Sequence, residues 1–573
     1  MNDTGRPWLK SYTLGPYRLD HSLAPYPQEP LFEILDRAAR DYPNQTAILF
    51  QGRELKYHQL KRRVDSLANA LASLGLQKGD RVCLYLPNCP EFVLSYWGVL
   101  KAGGVVVPTS ILRSGEGLLH EVRSSESRFM VCQEAYIDRG IALRSHTDLE
   151  SILVTSNAGY DQERVQGSLP KGVYDLTDLI ASYDPLPPQV EIDPARDLCE
   201  LAFTGGATGL PKGVMLSHLS RHTSVVQTLP WFLKPLLGGI RGKTSVLISL
   251  PLFHAYGNFV QISAINLGLR LIILPDPRDT DAMLKAIIDH RPFLVPGVPT
   301  QFMRLADAGL KRSNCMLFSG SAPLPAEVAQ EIKRKTGMPI SEAYGLTETS
   351  TVSHVNLTAF SRITGFLSKE KPGIGVPVPD TDCRLVNPDA GVNPDAGEDP
   401  DSGEEVPLGE PGEVVLSGPQ MMLGYWPEPG SGLSKDGWLH TGDIAVMDET
   451  GYFQIVDRIK DMVSVSGMKV YTTEVDEILF KHPAIVAAAA FGIPDVEIPG
   501  SERVMAVVVL KEAYRGSVTE QEVRDYCRQH LPPYAVPKIV EFHDDLPLTV
   551  SEKVFKKVLR EQAIAQMSAL KEG

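Results

Sequence analysis

The run Phe203-Thr204-Gly205-Gly206-Ala207-Thr208-Gly209-Leu210-Pro211-Lys212-Gly213 sets glycines, hydroxyls and one lysine together between apolar segments. That composition suits an anion. Glycines accept positive φ and turn several N–H groups toward one point, while Thr204, Thr208 and Lys212 add hydroxyl donors and a positive charge. The loop is expected to hold phosphate. It differs from the G-x-x-x-x-G-K-[ST] loop, whose lysine directly follows the last glycine, because Leu210 and Pro211 intervene. A Gly/Thr/Pro run by itself is equally good turn chemistry, so the rest of the chain carries the decision.

Pro251-Leu252-Phe253-His254 closes one apolar run, Ser319-Gly320-Ser321-Ala322-Pro323 closes another, and Ala343-Tyr344-Gly345-Leu346-Thr347-Glu348-Thr349 follows a third. Gly424-Tyr425, Thr441-Gly442-Asp443, Asp457-Arg458-Ile459-Lys460-Asp461 and Ser551-Glu552-Lys553 come after them. In this order and at these spacings the set resembles the adenylate-forming superfamily of acyl-CoA synthetases, luciferases and peptide-synthetase adenylation domains. Tyr57-His58-Gln59-Leu60 and the apolar segment from Arg81 to Asn88 extend the likeness over nearly the whole chain.

The resemblance implies a reaction in which a carboxylate attacks the α-phosphorus of ATP, pyrophosphate leaves, and the thiol of coenzyme A displaces AMP from the acyl-adenylate. The first step brings an anion to a polyanion and needs oriented donors and positive charge. By the same resemblance, Thr204, Gly205, Gly206, Thr208, Gly209 and Lys212 hold the β- and γ-phosphates. Tyr344 lies against adenine, whose edge meets the backbone at Gly320, Ser321 and Ala322. Asp443 accepts the ribose hydroxyls, Arg458 adds a donor, Thr347 reaches the α-phosphate, and Glu348 ligates Mg²⁺, a hard cation suited to oxygen. Lys553 bridges carboxylate and α-phosphate. A small domain then pivots at Lys460, withdraws Lys553 and presents the segment containing Gly467 as one wall of a pantetheine tunnel. His254 either flanks the substrate carboxylate or is a hydrogen-bonded core histidine.

The acyl pocket is expected among Tyr256, Gly257, Gly297, Val298, Ala343 and Gly345. Acetate-specific relatives carry tryptophan at the position of Gly345, so a glycine there implies room for a longer chain. Pro7-Trp8-Leu9-Lys10-Ser11-Tyr12 and the run from Leu271 to Asp279 resemble the medium- and long-chain fatty acid branch. Aromatic or alicyclic acids, a carrier-loading adenylation enzyme and a non-catalytic nucleotide binder are the alternatives. The chain departs from the usual motifs at Gly205 and Ala207 in the phosphate loop, at Glu552, where glycine is common, and at His440, where Arg or Lys is common.

A formal charge of −14 over 573 residues gives no basic surface for nucleic acid. The seven cysteines (Cys83, Cys89, Cys132, Cys199, Cys315, Cys383, Cys527) lack C-x-x-C spacing, which points away from a disulfide framework or zinc site and toward the cytoplasm. Residues 1–8 show no apolar leader, and no stretch has the length of a membrane span, leaving at most peripheral membrane contact by a monomer or homodimer.

Helical spacing of Leu31, Ile34, Leu35 and Ala38, and of Leu60, Val64, Leu67, Ala68 and Leu71, alternates with short apolar strands near 82–86, 105–108, 245–250, 270–274 and 315–318. The expected fold is a large α/β N-terminal domain of layered sheets and helices, residues 1–459, and a small mobile α+β domain, residues 460–573. Three Asn/Asp-Pro-Asp-x-Gly copies between 387 and 404 read as successive surface turns.

Overall fold

A computed structural model describes residues 6–156, 165, 167–204, 211–358, 360, 371–388, 403–498, 500–549 and 553–572. Gly205, Gly206, Thr208, Gly209, Ala207 and Glu552, and most of the Asn/Asp-Pro repeat, lie outside the described residues.

Two nine-stranded sheets dominate the described residues. In the first, Val105–Pro108, Arg81–Tyr85, Ser127–Gln133, Ser151–Thr155 and Val173–Asp175 run parallel, and Leu198–Thr204 joins them through Val105–Pro108. In the second, Ile340–Tyr344, Met316–Ser319, Leu294–Gly297, Ser245–Ile248, Arg270–Ile273 and Thr46–Phe50 run parallel. Parallel strands buried on both faces read as unbroken Val/Ile/Leu runs, which is why Arg81–Tyr85, Val105–Pro108, Ser245–Ile248, Arg270–Ile273 and Met316–Ser319 were recognisable by composition. Helices Tyr57–Ser73, Pro90–Lys101 and Ala255–Asn266 pack into one continuous core with both sheets.

The stretch before Lys460 departs from the expected alternation. Asp382–Val386, Gly412–Ser417, Leu439–Met447 and Phe453–Arg458 form a four-stranded antiparallel sheet. The N-terminal arm ties it to the second large sheet: Trp8 is buried, its backbone fills the space a side chain at Gly451 would need, and the Tyr12 hydroxyl donates to Pro377 O, on the edge strand Val376–Pro377 of that sheet, at 2.8 Å.

Beyond Lys460 a separate core begins at Val463 and includes Val475, Leu479, Val504, Val508, Val523 and Val540. It sits between the three-stranded sheet Ile485–Pro494, Glu502–Leu510, Ile539–Phe542 and helices Thr472–Lys481 and Glu520–His530. Lys481 Nζ reaches Glu327 Oε1 of the large unit at 3.4 Å. No helix among the described residues is long and apolar enough to cross a membrane.

Candidate active site

Most of the chemical motifs sit at or just beyond a strand end, whereas Thr441-Gly442-Asp443 lies within Leu439–Met447. Leu198–Thr204 and Lys212–Ser217 form a hairpin in which Thr204 and Lys212 are opposed, bringing the two ends of the glycine-rich loop side by side. His120 Nε2 lies 2.9 Å from Pro211 O, and the Lys212 ammonium sits 5.3 Å above the Tyr425 ring, a cation–π contact. The same Tyr425 donates its hydroxyl to Glu348 Oε1 at 2.9 Å, so one ring connects the loop lysine with the acidic residue expected at the metal. Burial raises the Glu348 carboxyl above its ordinary value.

Strand Met316–Ser319 delivers Gly320, Ser321 and Ala322, with Ser321 in the left-handed region at φ +71°. A side chain at Gly320 would come within 3.1 Å of the Tyr256 ring, whose hydroxyl donates to Phe318 O at 2.9 Å. The loop is held from below by Glu342, whose Oε1 accepts from Leu324 N at 3.3 Å and whose carboxyl burial pushes up to about 8.

Strand Ile340–Tyr344 delivers Tyr344, which donates to Asp443 Oδ2 at 2.7 Å. Asp443 is 2% exposed, and its Oδ1 meets Arg458 Nε at 2.7 Å across the paired strands Leu439–Met447 and Phe453–Arg458. Glu413 fixes the turn before Asp443: one oxygen accepts from Gly442 N at 3.0 Å and the other lies 2.9 Å from His440 Nδ1. His440 therefore contacts a carboxylate in the place of the more usual cation.

Lys553 enters this cluster from the small unit. Its backbone is fixed by Thr549 N donating to Lys553 O at 2.7 Å and Lys553 N donating to Thr549 Oγ1 at 3.1 Å, and Lys556 behind it reaches Asp476 at 2.7 Å and Thr472 at 2.9 Å. Burial, followed by the charges of Arg458 and Lys460, pushes the Lys553 amine down to about 8, with Asp443 acting in the other direction. His254, the N-cap of helix Ala255–Asn266, accepts from Tyr256 N on Nδ1 at 3.3 Å. Burial, and then the Lys553 charge, lower it to about 4, so it is a neutral imidazole at pH 7 with Nε2 left to carry its proton.

Lys553, Arg458, Asp443, Tyr344 and His254 thus converge from four separated parts of the chain. Gly467 stands apart, in the turn between Val463–Val465 and Met468–Val470 at φ +83°, where Ser466 N donates to Ser501 Oγ at 2.8 Å within the small unit.

An apolar cavity of about 10 Å³ opens beside Tyr256, among Phe232, Phe259, Val260, Phe318 and Val352, room for little more than one water. Of the six expected wall residues, Tyr256 lines it. Gly257 and Gly297 are glycines for close packing, since an added Cβ would meet Pro251 O at 2.2 Å and the Phe302 ring at 2.8 Å. Gly345 corrects the expectation of open space: a Cβ there would lie 1.9 Å from Thr351 O. Its missing side chain makes way for backbone.

A family model described as AMP-binding enzyme matches residues 35–426, and one described as AMP-binding enzyme C-terminal domain matches residues 474–553. The chain belongs to the AMP-binding enzyme family. Within that family it is 36% identical over 592 residues to a long-chain-fatty-acid–CoA ligase of Bacillus subtilis, covering 97% of this chain and 98% of the relative. It is 33% identical over 582 residues to a long-chain-fatty-acid–CoA ligase of Yersinia pestis, with the same coverage. Among solved structures, ATP-bound MatB from Rhodopseudomonas palustris superposes with a TM-score of 0.80 at 28% identity, over 93% of this chain and 99% of that one.

The motifs of this AMP-binding enzyme gave no role to two residues that the site uses. Tyr425 was visible only as half of a Gly-Tyr pair, and Glu413 is one acid in a strand. The cavity wall had a signal that could have been read: Tyr256, Phe259, Val260 and Ser263 recur at i, i+3, i+4 and i+7 on one helix face.

Proposed function

We propose that this chain is an ATP-dependent, AMP-forming acyl-CoA ligase acting on medium- to long-chain fatty acids. The observation that carries the reading is the placement of Lys553, from the small unit, within electrostatic reach of Arg458, Asp443 and His254 of the large one. An amine with a pKa of about 8 is mostly protonated at pH 7, and Lys553, Arg458 and Lys460 together supply the cationic surroundings that a carboxylate approaching a triphosphate requires. Asp443, already bound to Tyr344 and Arg458, offers fixed acceptors to a ribose, and neutral His254 offers an N–H to the acid. Burial of Asp443 strengthens its interactions by excluding water.

Glu348, beside Thr347, fits Mg²⁺: a single half-buried carboxylate suits a cation that takes its other oxygens from phosphates and water and would neutralise charge between them. The acyl chain would enter the cavity beside Tyr256, which has to widen to receive it. Rotation about Lys460 would then bring the hairpin containing Gly467 toward coenzyme A. The chain's fatty-acid ligase relatives support the substrate class, and its seven free thiols fit a reducing cytoplasm.

A panel of carboxylic acids with ATP, Mg²⁺ and coenzyme A, read by AMP release, tests the proposal. Release should be largest for acids of eight or more carbons, because each buried methylene contributes about 0.8 kcal/mol. Greater turnover of benzoate or an amino acid would move the assignment, and no acid-dependent release from any substrate would leave only nucleotide binding.

A further inference from the structure

Glu200 and Arg221 are both completely buried, in a place that the chemistry above does not use. Arg221, on helix His218–Val226, meets Glu200, on strand Leu198–Thr204, at 3.2 Å. The same Glu200 oxygen accepts from Asn258 Nδ2 at 2.8 Å and from the Tyr96 hydroxyl at 3.2 Å. Stability alone is a poor reason for such a pair. Apolar residues of similar volume commonly serve as well, and here Glu200 Oε1 and Arg221 Nε have no hydrogen-bond partner among the described residues.

The other contacts of Arg221 give a better reason. Its Nη1 donates to Ser350 O at 3.0 Å and to Thr351 Oγ1 at 2.7 Å, and Ser224 on the same helix donates to Ser350 O at 2.8 Å. Ser350 and Thr351 have φ of +49° and +101°; for a β-branched residue the second value is strained and persists only where the surroundings enforce it. The turn folds back on the segment before it. Ser350 N donates to Thr347 O at 3.0 Å, Thr351 N to Leu346 O at 3.0 Å and Ser353 N to Tyr344 O at 2.9 Å. Residues 344–353 are therefore one closed unit carrying Thr347 and Glu348, and its strained end is gripped from outside by Arg221. Thr351 Oγ1 also donates to Ala255 O at 3.2 Å, at the start of the helix whose Asn258 holds Glu200. The acyl-side helix is tied into the same knot.

We infer that Arg221 is a positioning residue for adenylation: by holding Ser350 and Thr351 it sets the side chains of Thr347 and Glu348. The inference rests on the adenylation reading above. Two variants of the full chain test it. Arg221→Lys keeps a charge opposite Glu200 but loses the planar grip on two acceptors, and Thr351→Val leaves the ion pair whole while removing one acceptor. Each is measured for thermal unfolding, for acid-dependent ATP–pyrophosphate exchange, and for thioester formation from supplied acyl-adenylate. Exchange kcat should fall about tenfold or more, since misplacement by about 1 Å at a reacting centre costs up to a hundredfold. The thioester step should stay within about twofold of the parent.

Unchanged exchange in Thr351→Val, or parallel loss in both half-reactions, overturns the inference; if Arg221→Lys fails to fold, Thr351→Val decides alone. A parent enzyme without any exchange overturns the adenylation reading itself, whereas a normal parent with normal variants overturns only the role of Arg221.

Discussion

If the Lys553 ammonium bridges the substrate carboxylate and the α-phosphate, adenylation must follow its protonation. The amine is lowered from 10.5 to about 8 by burial and by Arg458 and Lys460. A group titrating near 8 is about nine-tenths protonated at pH 7 and about one-tenth at pH 9, so kcat/KM for ATP should fall roughly tenfold over that interval and about tenfold more by pH 10. ATP–pyrophosphate exchange at subsaturating fatty acid and ATP reads this directly, because the rate then reports the free enzyme. Lys460→Met removes one positive neighbour and should move the alkaline limb to higher pH; Lys553→Arg, charged throughout, should flatten it. Unfolding does not mimic the effect through this group. Because its folded pKa is depressed, Lys553 binds fewer protons in the folded than in the unfolded chain between about 8 and 10.5, so its contribution to stability rises across the interval in which activity falls. An alkaline limb at the same pH in the parent, Lys460→Met and Lys553→Arg would refute the assignment.

Lys553→Ala should reduce exchange by about 10²–10³-fold while thioester formation from supplied acyl-adenylate continues, and equal loss in both halves would count against a role confined to the first step. Lys460→Pro, which fixes φ at the proposed pivot, should show the reverse pattern, and an unchanged overall rate would put the pivot elsewhere. Val260→Phe narrows the cavity beside Tyr256; excluding about four methylenes costs roughly 3 kcal/mol, or about a hundredfold in kcat/KM for decanoate, with acetate little changed. Equal losses on the two acids would show that this cavity does not receive the chain.

Tyr344, Arg458 and Lys553 were legible because each stands in a turn or at a strand end, where glycine, hydroxyl and charged residues break an apolar run, and Asp443 because Thr441-Gly442 interrupts its strand in the same way. Glu200, Arg221 and Glu413 gave no such signal. Each is one charged residue within a strand or helix, and its burial depends on partners supplied by distant elements, such as Asn258 and Ser350. The four antiparallel strands between 382 and 458 were hidden for a related reason: long turn-rich connections separate them, and periodicity does not reveal which strand each will pair with.

Gly345 shows the limit most clearly, because a missing side chain has two physical readings, open space or close approach, and they predict opposite outcomes for a large substituent. The 1.9 Å separation between a Cβ at Gly345 and Thr351 O decides for close approach. A tryptophan there would displace the backbone of residues 344–353, and with it Thr347 and Glu348, before it met any acyl chain. It would therefore lower activity on short and long acids alike, and that result would be silent about chain length. On the proposed fatty-acid reading, the determinant of length would lie instead on the face formed by Tyr256, Phe259, Val260 and Ser263, which lines the cavity. In sequence that face is indistinguishable from a stripe of core, since an acyl pocket and a hydrophobic core ask for the same residues and differ only in whether the space between them is filled.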